Sequence, residues 1–268
     1  MAVTAFQTGV LRLLAAQRRE RGESYVAGGV ALNALLAAPR RSRDIDLFHD
    51  TTEALNATWV MDRNVLTVNG YEVRTVREAR TFVEASVSRG DEGTAVQWVR
   101  DSAYRFFPLI EDDLMGLTLH PFDLATNKVL ALVGRLEVRD WVDVLNCDRR
   151  LQPLGYLAWA ACGKDPGYNP HALLALAARH HYSQPEVDAL DFEGDAPDAS
   201  AFARAWHKAL ASAASICERL PVERVGTCVV SGQSDLFRGD AAELKQALRE
   251  GSITFHDGRI GGSWPSVA

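Results

Sequence analysis

The chain changes texture at Pro121, and that change constrains its fold more than any other feature. Residues 65–101 are rich in β-branched residues and poor in helix formers. Beyond Pro121, Ala- and Leu-rich runs recur at helical spacing. Strands followed by helices, rather than alternating with them, specify an α+β fold. We therefore expect a small mixed β-sheet core flanked by helices over residues 1–120. A helical C-terminal domain over 121–268 should follow, ending in a short strand–helix–hairpin element. The length of 268 residues suits one large domain or two ordinary ones.

Local signals fill in this outline. Phe6, Val10, Leu13 and Leu14 predict an amphipathic first helix over about residues 3–20. Tyr25-Val26-Ala27 leads into Gly28-Gly29, and a helical run from Val30 stops at Pro39. Asp44 to Phe48 alternates polar and apolar residues, as a half-buried strand does. Thr51 or Thr52 should cap a short helix reaching Ala57. Asn69-Gly70 predicts a two-residue hairpin between strands at 65–68 and 71–76. Further strands are expected at 81–87 and 94–99, then helices from Pro121 and at 138–147, 153–162, 170–179, 184–189 and 198–219. Asp191 to Asp198 reads as a loop. A strand at 226–230, a capping box at Asp240-x-x-Glu243 and a hairpin turn at Asp257-Gly258 complete the tail.

Composition removes several function classes. Lys and Arg number 29 against 35 Asp and Glu, a net charge of −6 that argues against a generic nucleic-acid coat protein. Cys147, Cys162, Cys217 and Cys228 are widely spaced, so neither a zinc site nor a disulfide framework is expected, and a reducing cytoplasm is the default. No apolar run approaches the roughly 18 residues of a membrane span. Arginines interrupt the amino-terminal helix, which is therefore not read as a signal peptide.

The chemistry concentrates between Gly28 and Asp46. A strand running through two glycines into a helix brings backbone N–H groups close to an anion, and phosphate suits such a turn. Asp44 and Asp46 sit two apart on one strand, so both carboxylates share a face. Their repulsion is naturally offset by Mg²⁺, which takes one or two protein carboxylates together with substrate phosphates. A phosphate cradle beside a carboxylate-held metal is the apparatus of phosphoryl or nucleotidyl transfer. Ser42 can share the strand face and donate to a phosphate oxygen. Arg40, Arg41 and Arg43 add positive charge for a triphosphate or an RNA backbone.

Gly28-Gly29-Val30-Ala31-Leu32 followed by Arg41-Ser42-Arg43-Asp44-Ile45-Asp46-Leu47-Phe48 resembles the first motif of the minimal nucleotidyltransferases, in the form found in AbiEii/AbiGii toxins. A second stretch, Asp123 to Leu132 followed by Arg139-Asp140-Trp141-Val142-Asp143, resembles that family's helical motif. Together they cover residues 25–145, a little under half of the chain. The resemblance implies a nucleotidyltransferase core with Mg²⁺ and NTP on Asp44 and Asp46. It places phosphate on Gly28, Gly29, Ser42 and Arg43, and gives Lys128 a role at the triphosphate or in catalysis. It also implies an RNA acceptor, tRNA in some members, and a toxin's setting in toxin–antitoxin or phage defence, with an antitoxin protein as partner.

Two departures from the pattern stand out. The interval between the glycines and the aspartates is long for the superfold. Gln97 stands on the later strand where many nucleotidyltransferases carry a third carboxylate, and Asp101 is the nearby acid read as its candidate substitute. Arg139, Asp140 and Asp143 are read as supporting residues, and the histidines at 171, 180, 181 and 207 as lacking metal partners. Trp98, Trp141, Trp159 and Trp206 should pack the core. Two other readings stay open: a nucleotide-binding module with weak or absent turnover, and a nucleotidyltransferase acting on a small hydroxylated molecule.

Overall fold

The computed structural model describes residues 3–232 and 235–265. Its elements run α1 (Ala5–Arg21), β1 (Tyr25–Ala27), α2 (Gly28–Leu35), β2 (Asp44–His49), α3 (Thr52–Val68), β3 (Glu72–Ala79), β4 (Phe82–Arg89), β5 (Glu92–Arg100), β6 (Tyr104–Arg105), β7 (Ile110–Asp112) and β8 (Gly116–Thr118). There follow α4 (Pro121–Arg135), α5 (Val138–Arg150), α6 (Leu154–Lys164), α7 (Pro170–Ala177), α8 (Gln184–Asp188), α9 (Ala199–Cys217), β9 (Cys228–Ser231), β10 (Asp235–Leu236), α10 (Ala241–Glu250), β11 (Ile253–His256) and β12 (Arg259–Ile260). The fold is α+β, and contacts divide it into two compact units. One runs to Ala103 and adds Leu109–His120 and Asp191–Gly194. The other takes Tyr104–Pro108, Pro121–Leu190 and the chain from Asp195.

The first unit is built on a seven-stranded mixed sheet of order β3-β4-β5-β2-β1-β8-β7. β2 pairs with β5 and β1 with β8 in parallel; the other pairs are antiparallel. Strand alternation sorts its side chains. Ile45, Leu47, Val96 and Trp98 are buried, and Trp98 meets Trp59 of α3 edge-on at 4.6 Å. Asp44, Asp46 and Gln97 lie on the other, half-exposed face.

The hairpin expected at Asn69-Gly70 does not form. α3 continues to Val68 from its N-cap, Thr51, whose Oγ accepts from the Ala54 N–H at 3.1 Å. Leu55, Thr58, Trp59, Asp62 and Leu66 repeat at helical intervals and are buried together, which overrides the β-branched character of 65–68. Asn69 caps the helix and Gly70, at φ +80°, ends it. The hairpin lies one strand later, joining β3 and β4 across Arg80 and Thr81.

In the second unit, α4 to α10 enclose a core containing Trp141, Trp159 and Trp206. The Asp240 capping box is present, with Asp240 accepting from the N–H groups of Ala242 and Glu243. The tail hairpin at Asp257-Gly258 is absent. β11 pairs with β9, while β12 pairs with β6. Gly258 passes so close to the Tyr104 ring that a β-carbon there would come within 2.5 Å of it. The chain is thus steered to a partner about 150 residues upstream instead of folding back on itself. All four cysteines are buried and free. No described helix is long and apolar enough to cross a membrane.

Candidate active site

The site grows from the junction of β1 and α2. Tyr25, Val26 and Ala27 are buried, and Ala27 stands opposite Asp46 in the antiparallel register. The next residue, Gly28, adopts φ +65°. A β-carbon there would overlap Asp46 Oδ2 and lie 2.6 Å from its Cγ. One glycine thus supplies both a left-handed backbone and room for a carboxylate. Gly29 makes the next opening: its β-carbon would meet the Arg40 guanidinium at 2.7 Å and Ser42 Oγ at 2.8 Å. No side chain caps the α2 N-terminus, which is therefore edged by glycine backbone.

Ser42 and Asp44 are joined directly. Ser42 Oγ donates to Asp44 Oδ1 at 2.8 Å. The loop that carries Ser42 is held from beneath. Gln7 Nε2 donates to the Ser42 carbonyl at 2.8 Å, and Thr94 Oγ1 donates to the Arg43 carbonyl at 3.0 Å. Gln7 also closes the capping box of α1 with Thr4, so the start of the first helix and the site share a residue. Arg43 is exposed at the loop's end.

The sheet register places the candidate third ligand. Asp46 stands opposite Gln97 of β5, and Gln97 opposite Glu84 of β4. Asp101 lies past the end of β5, where its N–H donates to the His49 carbonyl at 2.9 Å. At about 3.3 Å per residue it is about 13 Å along the strand from Gln97, at the level of Asp50 rather than Asp46. Among the described residues, no group of three or more His, Cys, Asp or Glu side chains is arranged to hold a metal. The donor set beside the glycine turn consists of hard oxygens from Asp44 and Asp46, with the Gln97 amide next in register. That set fits Mg²⁺ completed by phosphate and water.

Lys128, Asp140 and Asp143 belong to the second unit. There the Lys128 ammonium donates to Asp140 at 3.0 Å and pairs with Asp143 at 3.1 Å, all three side chains being buried. Arg135 adds a two-pronged contact to Asp140. Burial pushes the Asp140 carboxyl up, but the hydrogen bonds and charges of Arg135 and Lys128 outweigh it and leave it below the usual range. Arg139 pairs with Glu137. The histidines at 171, 180, 181 and 207 are exposed.

In the first unit the sequence reading named Arg40 only as one of three charged arginines and did not single out Asn33. Arg40 is only 3% exposed, and its guanidinium fills the space beside Gly29. Nothing in a run of three arginines marks which one is buried. Asn33, in α2, is fully buried with neither amide atom hydrogen-bonded. An unpaired amide of this kind costs about 1–3 kcal/mol.

The architecture around this site matches solved structures. A Helicobacter pylori protein with a provisional nucleotidyltransferase assignment aligns over 80% of this chain and 95% of its own, with a TM-score of 0.51 at 14% identity. The two chains share a fold. The Helicobacter pylori protein JHP933 aligns over 78% of this chain and 91% of its own, again at 0.51, with 13% identity. The nucleotidyltransferase toxin MenT4 of Mycobacterium tuberculosis aligns more loosely, with a TM-score of 0.47 and 17% identity over 81% of this chain and 83% of its own. The sequence matches no protein-family model and no curated protein.

Proposed function

We propose that this nucleotidyltransferase fold is an active enzyme of the AbiEii type, moving a nucleotide from an NTP to an acceptor hydroxyl with release of pyrophosphate. The observation that carries the reading is the contact of Gly28 with the Asp46 carboxylate, with Ser42 hydrogen-bonded to Asp44 beside it. Phosphate-binding backbone and metal-binding carboxylates are thereby held within one turn of each other. Asp44 and Asp46 would hold Mg²⁺, which would supply Lewis-acid stabilisation of negative charge on the phosphates. Gly28 and Gly29 present backbone to the phosphates. Ser42 orients Asp44 and offers its hydroxyl, and Arg43 supplies exposed positive charge. Lys128, ion-paired with Asp140 and Asp143, is assigned to the triphosphate on the motif resemblance alone, with Arg139 as a supporting residue. RNA as acceptor, tRNA in particular, and an antitoxin as protein partner rest on the same resemblance.

Transfer of label from α-labelled NTP to cellular RNA tests this reading. Asp44→Ala combined with Asp46→Ala should abolish it. Labelling by the double variant at the wild-type rate would refute the assignment. One observation favours a second reading, a module that binds nucleotide without turning it over: an amide, Gln97, stands beside Asp46 where a further carboxylate would complete the ligand set. Calorimetry with each NTP, with and without Mg²⁺, separates the two. Tight binding with no transfer to any acceptor supports the module.

A further inference from the structure

The loop over residues 39–43 carries Ser42 and leads directly into Asp44, and three residues from far along the chain hold it. The Arg41 N–H donates to the Asp191 carbonyl at 2.8 Å, and the Glu193 N–H donates to the Pro39 carbonyl at 2.7 Å. Between these bonds, Arg40 and Phe192 form an antiparallel bridge. Phe192 and Arg40 are both buried. The Arg41–Asp191 ion pair, at 3.6 Å between half-exposed side chains, adds little. The two backbone bonds therefore carry the contact. Residues 191–194 belong to the first unit by contact, although the sequence on both sides of them belongs to the second.

The contact lies on the residue that connects it to the site. Arg40 bridges to Phe192 through its backbone, while its guanidinium packs against Gly29 next to Ser42 Oγ. Gln7 and Thr94 hold the carbonyls of Ser42 and Arg43. Without the distal residues, Pro39 and Arg41 would lose these two cross-chain backbone bonds, on either side of Arg40.

We propose that Asp191-Phe192-Glu193 is a positioning strap, which fixes the Arg40 loop so that Arg40 and Ser42 stand at the glycine turn. Its consequence for catalysis rests on the nucleotidyltransferase reading; its consequence for loop order does not. The test uses the full chain and Glu193→Pro, which removes the N–H that bonds Pro39. Phe192 sits in an antiparallel bridge, and extended backbone of that kind suits the residue before a proline. Glu193→Ala keeps the N–H and is the control. Amide exchange at Arg41 and Ser42 should rise about tenfold in Glu193→Pro and not in Glu193→Ala, with β4 and β5 unchanged. Asp191→Ala, a milder variant, should raise it about twofold. In transfer assays the NTP KM of Glu193→Pro should rise about tenfold, with a smaller fall in kcat. Unchanged exchange at Arg41 and Ser42 in Glu193→Pro overturns the strap whatever the activity. Raised exchange with an unaltered KM overturns its positioning role. A wild-type chain that neither binds nor turns over NTP refutes the nucleotidyltransferase reading, while the exchange result still decides the strap.

Discussion

Gly28→Ala puts the geometry of the site under direct strain. The new side chain must occupy φ +65°, a left-handed conformation that costs a residue with a β-carbon about 1–2 kcal/mol. Its β-carbon would also overlap Asp46 Oδ2. Asp46 relieves this only by leaving its rotamer, at about 0.5–1.5 kcal/mol, or by carrying β2 with it. The expected loss is therefore about 2–3 kcal/mol. A double-mutant cycle separates the two causes. In an Asp46→Ala background the carboxylate is gone, and Gly28→Ala should cost only the backbone share of about 1–2 kcal/mol. The coupling of about 1 kcal/mol is what two residues in contact should show. Urea denaturation of the four proteins supplies the stabilities, and Mg²⁺-dependent NTP binding to Gly28→Ala should fall at least tenfold. Equal costs in both backgrounds would refute the contact between Gly28 and Asp46. Unaltered nucleotide binding would refute its place in the site.

Other substitutions probe other elements. Lys128→Met removes the buried ammonium that pairs with both Asp140 and Asp143, so stability should fall by about 3–5 kcal/mol, read as a lowered urea midpoint. Acid should weaken the same cluster: Asp140 titrates below the usual carboxylate range, so its contribution is present above about pH 4 and is lost as pH falls below that. His49 is pushed down to about 4, chiefly by burial. Its contribution is complete above about pH 6.5 and declines as pH falls toward 4, by up to about 3 kcal/mol. Wild type should therefore lose more stability than His49→Gln between pH 7 and pH 4, and parallel curves would contradict this. The comparison is needed because Asp62, raised to about 6 by burial despite Arg18 and Trp98, pulls the other way over part of that range. Gln97→Asp adds a carboxylate in register with Asp46 and should tighten Mg²⁺ binding severalfold in calorimetry; weaker binding would argue that no metal sits at Asp46.

The sequence was most legible where short-range pattern and final structure obey the same physics. The first helix, the Gly28-Gly29 turn, the alternating strand from Asp44 and the Asp240 cap each depend on neighbours a few residues away. Asn69-Gly70 misled because it suits two endings equally, a hairpin turn and a helix stop. The burial of Leu55, Trp59, Asp62 and Leu66 decided between them, and that rhythm was present in the sequence beneath the β-branched residues. The partners of β12 and the strap at Asp191 were not legible. They are backbone pairings across about 150 residues, and no local propensity encodes the far partner. β7 and β8, three residues each, are too short to carry a period. Of the site, the aspartates and glycines could be read from residue type and spacing. The buried Arg40 could not, because which arginine turns inward is decided by where Gly29 leaves room.

The strap also sets an order of events during synthesis. Asp44 and Asp46 are made early, but the loop before them acquires its final backbone partners only when Asp191 to Glu193 have been made, 149 positions after Ser42. At the ordinary pace of about 5–20 residues per second, that delay is roughly 7–30 s. A nascent chain therefore carries both carboxylates well before it carries the finished loop.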